Sequence, residues 1–220
     1  MSFPLFNWDS LPGEIGLAFS GGVDSVFALD FLLKTNKKVT IIHFKHEDDL
    51  LSNIEYDFAN RIAKKYNLPI ILGINNNEEI RRKKSPEQFW RDMIYKFFHS
   101  IDMPIVTGHH LDDCLETYIM SLAHGTAKVI PYANNNVVRP FLLVKKQFIY
   151  DWCEKYKLEY ISDPINSFDM SKNRNRVRKY IVPEMLKINP SIHKVITRIV
   201  VNREYCGTTS TKKGMLENVG

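Results

Sequence analysis

The sequence predicts an α/β fold: an open, mostly parallel sheet flanked by helices, followed by a small C-terminal helical extension. Three observations carry this. Short apolar runs alternate with longer amphipathic runs across residues 15–123, the βαβ rhythm of a parallel sheet. The first apolar run leads directly into Ser20-Gly21-Gly22-Val23-Asp24-Ser25, a glycine turn that opens a helical pattern. From Asn134 the composition changes to helical runs separated by polar loops.

Taken in order, Ile15–Phe19 reads as a buried strand and Asp24–Leu33 as the helix behind the glycine turn. Val39–His43 is a β-branched strand, and Asn53–Tyr66 has apolar positions near helical spacing. Pro69–Leu72 is a third strand, Asn75–Pro86 a polar loop, and Glu87–Phe98 an amphipathic helix. Pro104–Thr107 is a fourth strand, followed by a helix over Leu111–Ala123. Asn134–Asn136 has turn chemistry, Val137–Arg139 is extended, and Lys145–Tyr156 is helical. Asp163–Lys172, rich in Asp, Asn, Ser and Pro, is a loop; Asn173–Leu186 and Ser191–Glu204 are helices. The expected organisation is a catalytic unit over 1–140, a helical extension over 141–206 that completes the site, and a frayed tail over 207–220.

Composition narrows the function classes. At 220 residues and 44% hydrophobic content the chain can bury a core, and no run approaches the ~20 apolar residues of a membrane span. Met1–Trp8 lacks the basic-then-apolar pattern of a secretory signal. Cys114, Cys153 and Cys206 are widely spaced and odd in number, which argues against a disulfide framework or a metal cluster and makes the cytoplasm the default. The net charge of +5 is uneven: Arg174, Arg176, Arg178 and Lys179 crowd one stretch, while Lys128, Arg139, Lys145 and Lys146 form another without an acid between them. Clustering of this kind suits RNA or polyphosphate, although a solvated basic face has the same composition.

In parallel sheets, ligands bind beyond the carboxyl ends of the strands, so the loops after the strands should converge. The glycine turn is an anion site, with backbone N–H groups and the helix dipole facing the ligand. No Gly-Lys-Ser/Thr follows, so it is not the common nucleotide loop. The second constellation is Thr107-Gly108-His109-His110-Leu111-Asp112-Asp113-Cys114-Leu115-Glu116-Thr117. Asp113 and Glu116 are three residues apart and share a helix face. Such carboxylates can hold Mg²⁺ or take a proton from a nucleophile, whereas helix capping by acids accounts for one aspartate but not for the His pair before it.

Ser20–Ser25 resembles the SGGxDS loop of the N-type ATP pyrophosphatases, the PP-loop superfamily. That resemblance implies an adenine nucleotide α-hydrolase-like fold, ATP cleavage between the α and β phosphates, and adenylation of a second substrate. Gly108–Thr117 is similar to the GHHxDDxxET segment shared by the tRNA(Ile)-lysidine synthetases and the tRNA 2-thiocytidine synthetases. His43-Phe44-Lys45-His46 resembles the HxxH of the lysidine enzymes. Arg139-Pro140-Phe141-Leu142, Asp163-Pro164-Ile165-Asn166 and Arg174-Asn175-Arg176-Val177-Arg178 look like their RPLL…DPxN…RNxxR run. The thiolating family needs CxxC motifs, and this chain has none.

The resemblance covers residues 13–188 and implies a ligase that adenylates the wobble cytidine of tRNA(Ile), attaches L-lysine and releases AMP and pyrophosphate. ATP with Mg²⁺ is the implied cofactor pair, and the anticodon stem–loop the implied partner. Ser20, Gly21, Gly22, Asp24, Ser25, His46, Gly108 and His109 would bind the nucleotide; Asp24, Asp113 and Glu116 would hold the metal. These three carboxylates with Arg91, Arg174 and Arg178 would form the catalytic set. Glu87…Arg91…Tyr95 departs from the family's ARxxRY, because Trp90 and Ile94 replace a small residue and an arginine; Arg81 or Arg82 is the expected substitute. Glu47-Asp48-Asp49 is unusually acidic. Family members usually carry C-terminal tRNA-gripping domains, so this chain is expected to be a minimal enzyme, a fragment or a relative of altered specificity. A homodimer would be one way to regain RNA contacts. The alternatives are a ligase that adenylates another base or a small molecule, and an inactive RNA-binding relative.

Overall fold

Ile15 and Leu17 on the first strand, and Ile41 and Ile42 on the second, are all but inaccessible to solvent. Near-continuous apolar strands of this kind belong in a parallel sheet covered on both faces. The structure, a computed structural model, describes residues 5–45, 50–74, 86–162 and 172–206.

Among the described residues, six strands form one sheet in the order β3-β2-β1-β4-β6-β5. They are β1 (Glu14–Ala18), β2 (Lys38–Lys45), β3 (Ile70–Ile74), β4 (Ile105–Val106), β5 (Ala133–Asn134) and β6 (Val137–Val138). All neighbours are parallel except β5 and β6. Ile15 lies opposite Val39 on one side of β1, and Leu17 opposite Val106 on the other. The chain therefore steps outward from β1 to β3, then returns to pair β4 on the far side of β1. That reversal opens a crevice beyond the carboxyl ends of β1 and β4.

Helices α1 (Val23–Leu33) and α2 (Leu50–Tyr66) cover one face of the sheet, and α3 (Pro86–His99) packs its Phe98 on Ile42 and Ile105 at the other. Helix α4 (Leu111–Leu122) follows β4, and α5 (Lys146–Lys155) packs on α1. Phe27 holds this last contact, meeting Phe141 and Trp152 edge-on at 5.3 and 5.7 Å. The C-terminal helix α8 (Ile192–Cys206) buries Ile196 and Val200 in a cluster shared with Leu111 and Leu115 of α4.

Three features differ from the sequence expectation. Ala133–Asn134 is an additional strand, because Asn135, at φ 52°, closes a hairpin and Asn136 donates to the carbonyls of Phe98, Ile101 and Met103. The expected helix over Asn173–Leu186 is three pieces: α6 (Asn173–Arg176), a π-helical turn (Val177–Ile181) and α7 (Val182–Ile188). Pro183 in the first turn of α7 supplies no N–H and crowds the preceding carbonyls, which opens the turn before it. Arg139, expected in a basic stretch, is buried; its guanidinium donates to Pro131 O at 2.8 Å and to the Tyr95 hydroxyl at 2.7 Å. His46, Arg81, Arg82, Asp163–Asn166 and the tail from Gly207 lie outside the described residues.

Candidate active site

The glycine loop is built by its own hydroxyls. Ser25 Oγ accepts from Gly21 N at 3.1 Å and donates to Gly22 O at 2.9 Å. Gly21 has φ +83°, and a Cβ there would sit 2.9 Å from side-chain atoms of both Ile161 and Phe58. Gly22 caps α1 without a side-chain bond, so the first-turn N–H groups are left for a ligand.

The loop after β4 presses against this turn. A Cβ on Gly108 would lie 2.9 Å from the Asp24 carbonyl oxygen and 3.0 Å from its carbon. Both are backbone atoms and cannot swing aside. Gly108→Ala is therefore expected to cost about 1–3 kcal/mol, read as a lower melting temperature in thermal unfolding. An unchanged melting temperature would show that the two loops do not press on one another.

His110 caps α4 and is 2% exposed. Its Nδ1 accepts from Asp113 N at 3.3 Å, and Asp113 Oδ2 accepts from His110 N at 3.0 Å. Because Nδ1 accepts, the ring proton of the neutral form lies on Nε2. That nitrogen is 3.5 Å from Asp24 Oδ1 and 3.4 Å from Asp113 Oδ2, so the two carboxylates face one another across it. Burial alone would raise the Asp113 pKa. His110, His109, Arg174 and the backbone N–H outweigh burial and hold it at about 2.

Glu116, one turn along α4, is almost wholly buried, and both its oxygens are taken. Arg174 Nε donates to Oε2 at 2.9 Å; Arg178 donates from Nε to Oε1 at 2.6 Å and from Nη2 to Oε2 at 3.0 Å. Asp113 Oδ1 is 3.7 Å from Arg174 and 3.9 Å from Arg178. Arg174 and Arg178 thus reach the same carboxylate from either side of the junction between α6 and the π turn. π turns recur at functional sites, where an inserted residue re-aims side chains.

Two residues the motifs did not mark, Lys146 and His193, join the site. Lys146 Nζ is 2.5 Å from Asp24 Oδ1, although 122 positions separate the two in sequence. Asp112 orients Lys146 by accepting its backbone N–H at 2.7 Å, and also lies 3.0 Å from His193 Nε2 on α8. A lysine directly after Val144-Lys145 carries no signal, because its role depends on where α5 docks.

A cavity of about 520 Å³ is lined by Ser20, Asp24 and Ser25, by Thr107–His109, and by Arg91 and Tyr95. Arg91 sits 5.7 Å from the Tyr95 ring centroid, and Arg174 joins the lining. Burial pushes the His109 imidazole down to about 4; Asp113 opposes this, while Arg139, Arg174 and His110 add to it. His109 Nδ1 is 2.7 Å from Thr107 Oγ1. An unfolded histidine titrates near 6.5, so below that pH the unfolded chain binds a proton that the folded site refuses. Stability is therefore expected to fall by about 3 kcal/mol from this group as pH drops from 6.5 to 4. Urea unfolding across that range should show a flatter dependence for His109→Gln; an identical slope would refute the assignment.

Among the described residues no three His, Cys, Asp or Glu side chains converge as a complete metal set. Burial pushes the Cys114 and Cys153 thiols up to about 12 and about 11, which leaves both unreactive. No helix among the described residues is long and apolar enough to cross a membrane.

The chain is 34% identical over 195 residues to the tRNA(Ile)-lysidine synthase of Persephonella marina, covering 81% of this chain and 43% of that protein. For the enzyme of the same name from Buchnera aphidicola subsp. Baizongia pistaciae the identity is 32% over 208 residues, covering 85% and 46%. The chain thus spans less than half the length of these curated relatives. The U34-tRNA thiolase NcsA from Methanococcus maripaludis, solved with its 4Fe–4S cluster, matches the fold with a TM-score of 0.73 at 17% identity, covering 93% of this chain and 79% of that one. A glycine loop on β1, a crevice at the strand reversal and a sequence match to the PP-loop domain over residues 6–185 lead to one assignment: the chain belongs to the PP-loop domain family, in which the loop binds ATP.

Proposed function

We propose that this chain carries out the chemistry of a tRNA(Ile)-lysidine synthase. ATP lies on Ser20–Ser25, and the C2 oxygen of the wobble cytidine attacks the α-phosphorus. The bond to the bridging oxygen breaks and pyrophosphate leaves. The amine of lysine then attacks C2, loses a proton, and AMP departs with the former C2 oxygen. The observation that supports this most is the convergence of the glycine loop, the Asp24–His110–Asp113 cluster and the Arg174–Arg178 pair on one crevice.

The residues fit a divalent cation brought in with the phosphates, since Mg²⁺ typically takes one or two carboxylates, with phosphates and water completing its shell. Asp24 and Asp113 would hold it, and when bound it would neutralise charge on the phosphate oxygens. A carboxylate held at about 2 accepts protons poorly near neutrality, which suits Asp113 to a cation rather than to base catalysis. Glu116 would fix the two guanidinium groups so that their remaining N–H donors face the pyrophosphate. Lys146 would release Asp24 and neutralise phosphate charge in turn. The lysidine synthase relatives favour tRNA as partner, and the absence of CxxC weighs against thiolation.

The test is incubation of unmodified tRNA(Ile) bearing a CAU anticodon with ATP, Mg²⁺ and labelled lysine, followed by nucleoside mass analysis. Lysidine at the wobble position is expected. Release of AMP without lysidine would point to a different acceptor or amine.

A further inference from the structure

His43 stands near the carboxyl end of β2, 2% exposed, and lines the crevice cavity. Its Nδ1 lies 2.8 Å from the carbonyl oxygen of Phe19, the residue that precedes Ser20. A carbonyl only accepts, so Nδ1 carries the proton and Nε2 presents a lone pair. That Nε2 has no hydrogen-bond partner among the described residues. Burial lowers the imidazole pKa, so the ring is neutral near pH 7 and Nε2 cannot become a donor. A buried acceptor with nothing to accept is unfavourable and rare in native proteins.

The chemistry of the surrounding wall indicates what kind of donor Nε2 is built to meet. Phe19, Ile42, Phe44, Tyr95 and Phe98 line the same cavity, an apolar and aromatic lining suited to a flat ring. Ser20 and Ser25 of the glycine loop line the same cavity, and Ser20 directly follows Phe19, whose carbonyl meets His43. A nucleotide with its phosphates on the loop therefore has its base within reach of this wall.

We infer that His43 Nε2 is a fixed acceptor for the amino group of a nucleobase, and that it selects bases with an amino edge over those with a keto edge at that place. The inference rests on the reading of the cavity as a nucleotide site. The amino group is the 6-amino of ATP or the 4-amino of the acceptor cytidine. A keto oxygen there would face the Nε2 lone pair, and a bare C–H would leave it unpartnered; a site built for an N–H donor rejects both.

The experiment is calorimetric binding on the whole chain, independent of turnover. One arm compares ATP with purine riboside triphosphate, which lacks the 6-amino group. The other compares a cytidine anticodon stem–loop with one that carries pyrimidin-2-one at the wobble position. About a tenfold preference for the amino form is expected in one arm, and that arm identifies the base. His43→Asn keeps a donor for Phe19 O but loses the acceptor, so it should abolish the preference by weakening only the amino form. His43→Gln retains an acceptor near Nε2 and should keep most of it. The wild-type comparison needs no variant to fold. Preferences within twofold in both arms, or equal weakening of both forms in His43→Asn, would overturn the inference. If ATP binds and is cleaved in that case, the nucleotide reading stands without it; if no nucleotide binds at all, both fall.

Discussion

Replacing Asp113 by Asn is expected to lower ATP-dependent turnover by about 10²–10⁴-fold while leaving tRNA affinity within about twofold. The substitution is nearly isosteric. Asn can still accept from His110 N through its side-chain oxygen, so the α4 cap survives. What disappears is a negative charge that faces Asp24 across His110 Nε2 and lies 3.7 Å from Arg174. Without it a cation bound as proposed would have one carboxylate rather than two, and Arg174 would keep Glu116, Thr117 Oγ1 and the residue 113 carbonyl but lose one of its two neighbouring carboxylates. Single-turnover AMP formation and filter binding of tRNA separate the two effects. Near-normal turnover would remove Asp113 from the reaction. The same variant should also flatten the acid limb of stability. A carboxyl held at about 2 in the fold and near 4 unfolded stabilises fully above pH 4 and loses that contribution as pH falls to 2.

Glu116→Gln should act first on stability. Glu116 is buried, and two guanidinium groups donate three hydrogen bonds to it. The amide would turn N–H donors toward N–H donors and leave Asp113, at 3.7 and 3.9 Å, as the carboxylate that must balance both guanidinium charges. Breaking a buried pair costs about 3–5 kcal/mol; Arg178 is half-exposed, so about 2–3 kcal/mol is the better expectation here. That corresponds to a melting shift of about 5–10 °C. Arg178→Lys should cost less, because Arg174 still neutralises the carboxylate. Calorimetric unfolding of both variants tests the order; a Glu116→Gln protein as stable as the wild type would show that water already screens the cluster.

Much of this architecture is legible in the linear sequence, for a local reason. Ile15–Phe19, Val39–His43 and Pro104–Thr107 are apolar runs bounded by glycine, proline or charge, and all three appear in the sheet within a residue or two. The crevice follows, because a parallel sheet places the loops after β1 and β4 side by side. The break in the Asn173–Leu186 helix was also written locally, in Pro183, but a proline is tolerated in a first helical turn and its reading depends on where the helix starts.

By itself, then, the sequence determined the fold class, the glycine loop and the carboxylate-bearing helix, since each depends on residues within one turn or one strand of each other. Tertiary structure alone decided which charges meet: Lys146 on Asp24, Arg174 and Arg178 on Glu116, Asp112 on Lys146 N, and Arg139 buried beside Tyr95. It also decided that Nδ1 of His43 is spent on Phe19 and Nε2 is not. The physical reason is range. Backbone preference and hydrophobic period act over a few residues, whereas an ion pair or a tautomer is set by whichever elements packing brings within about 4 Å.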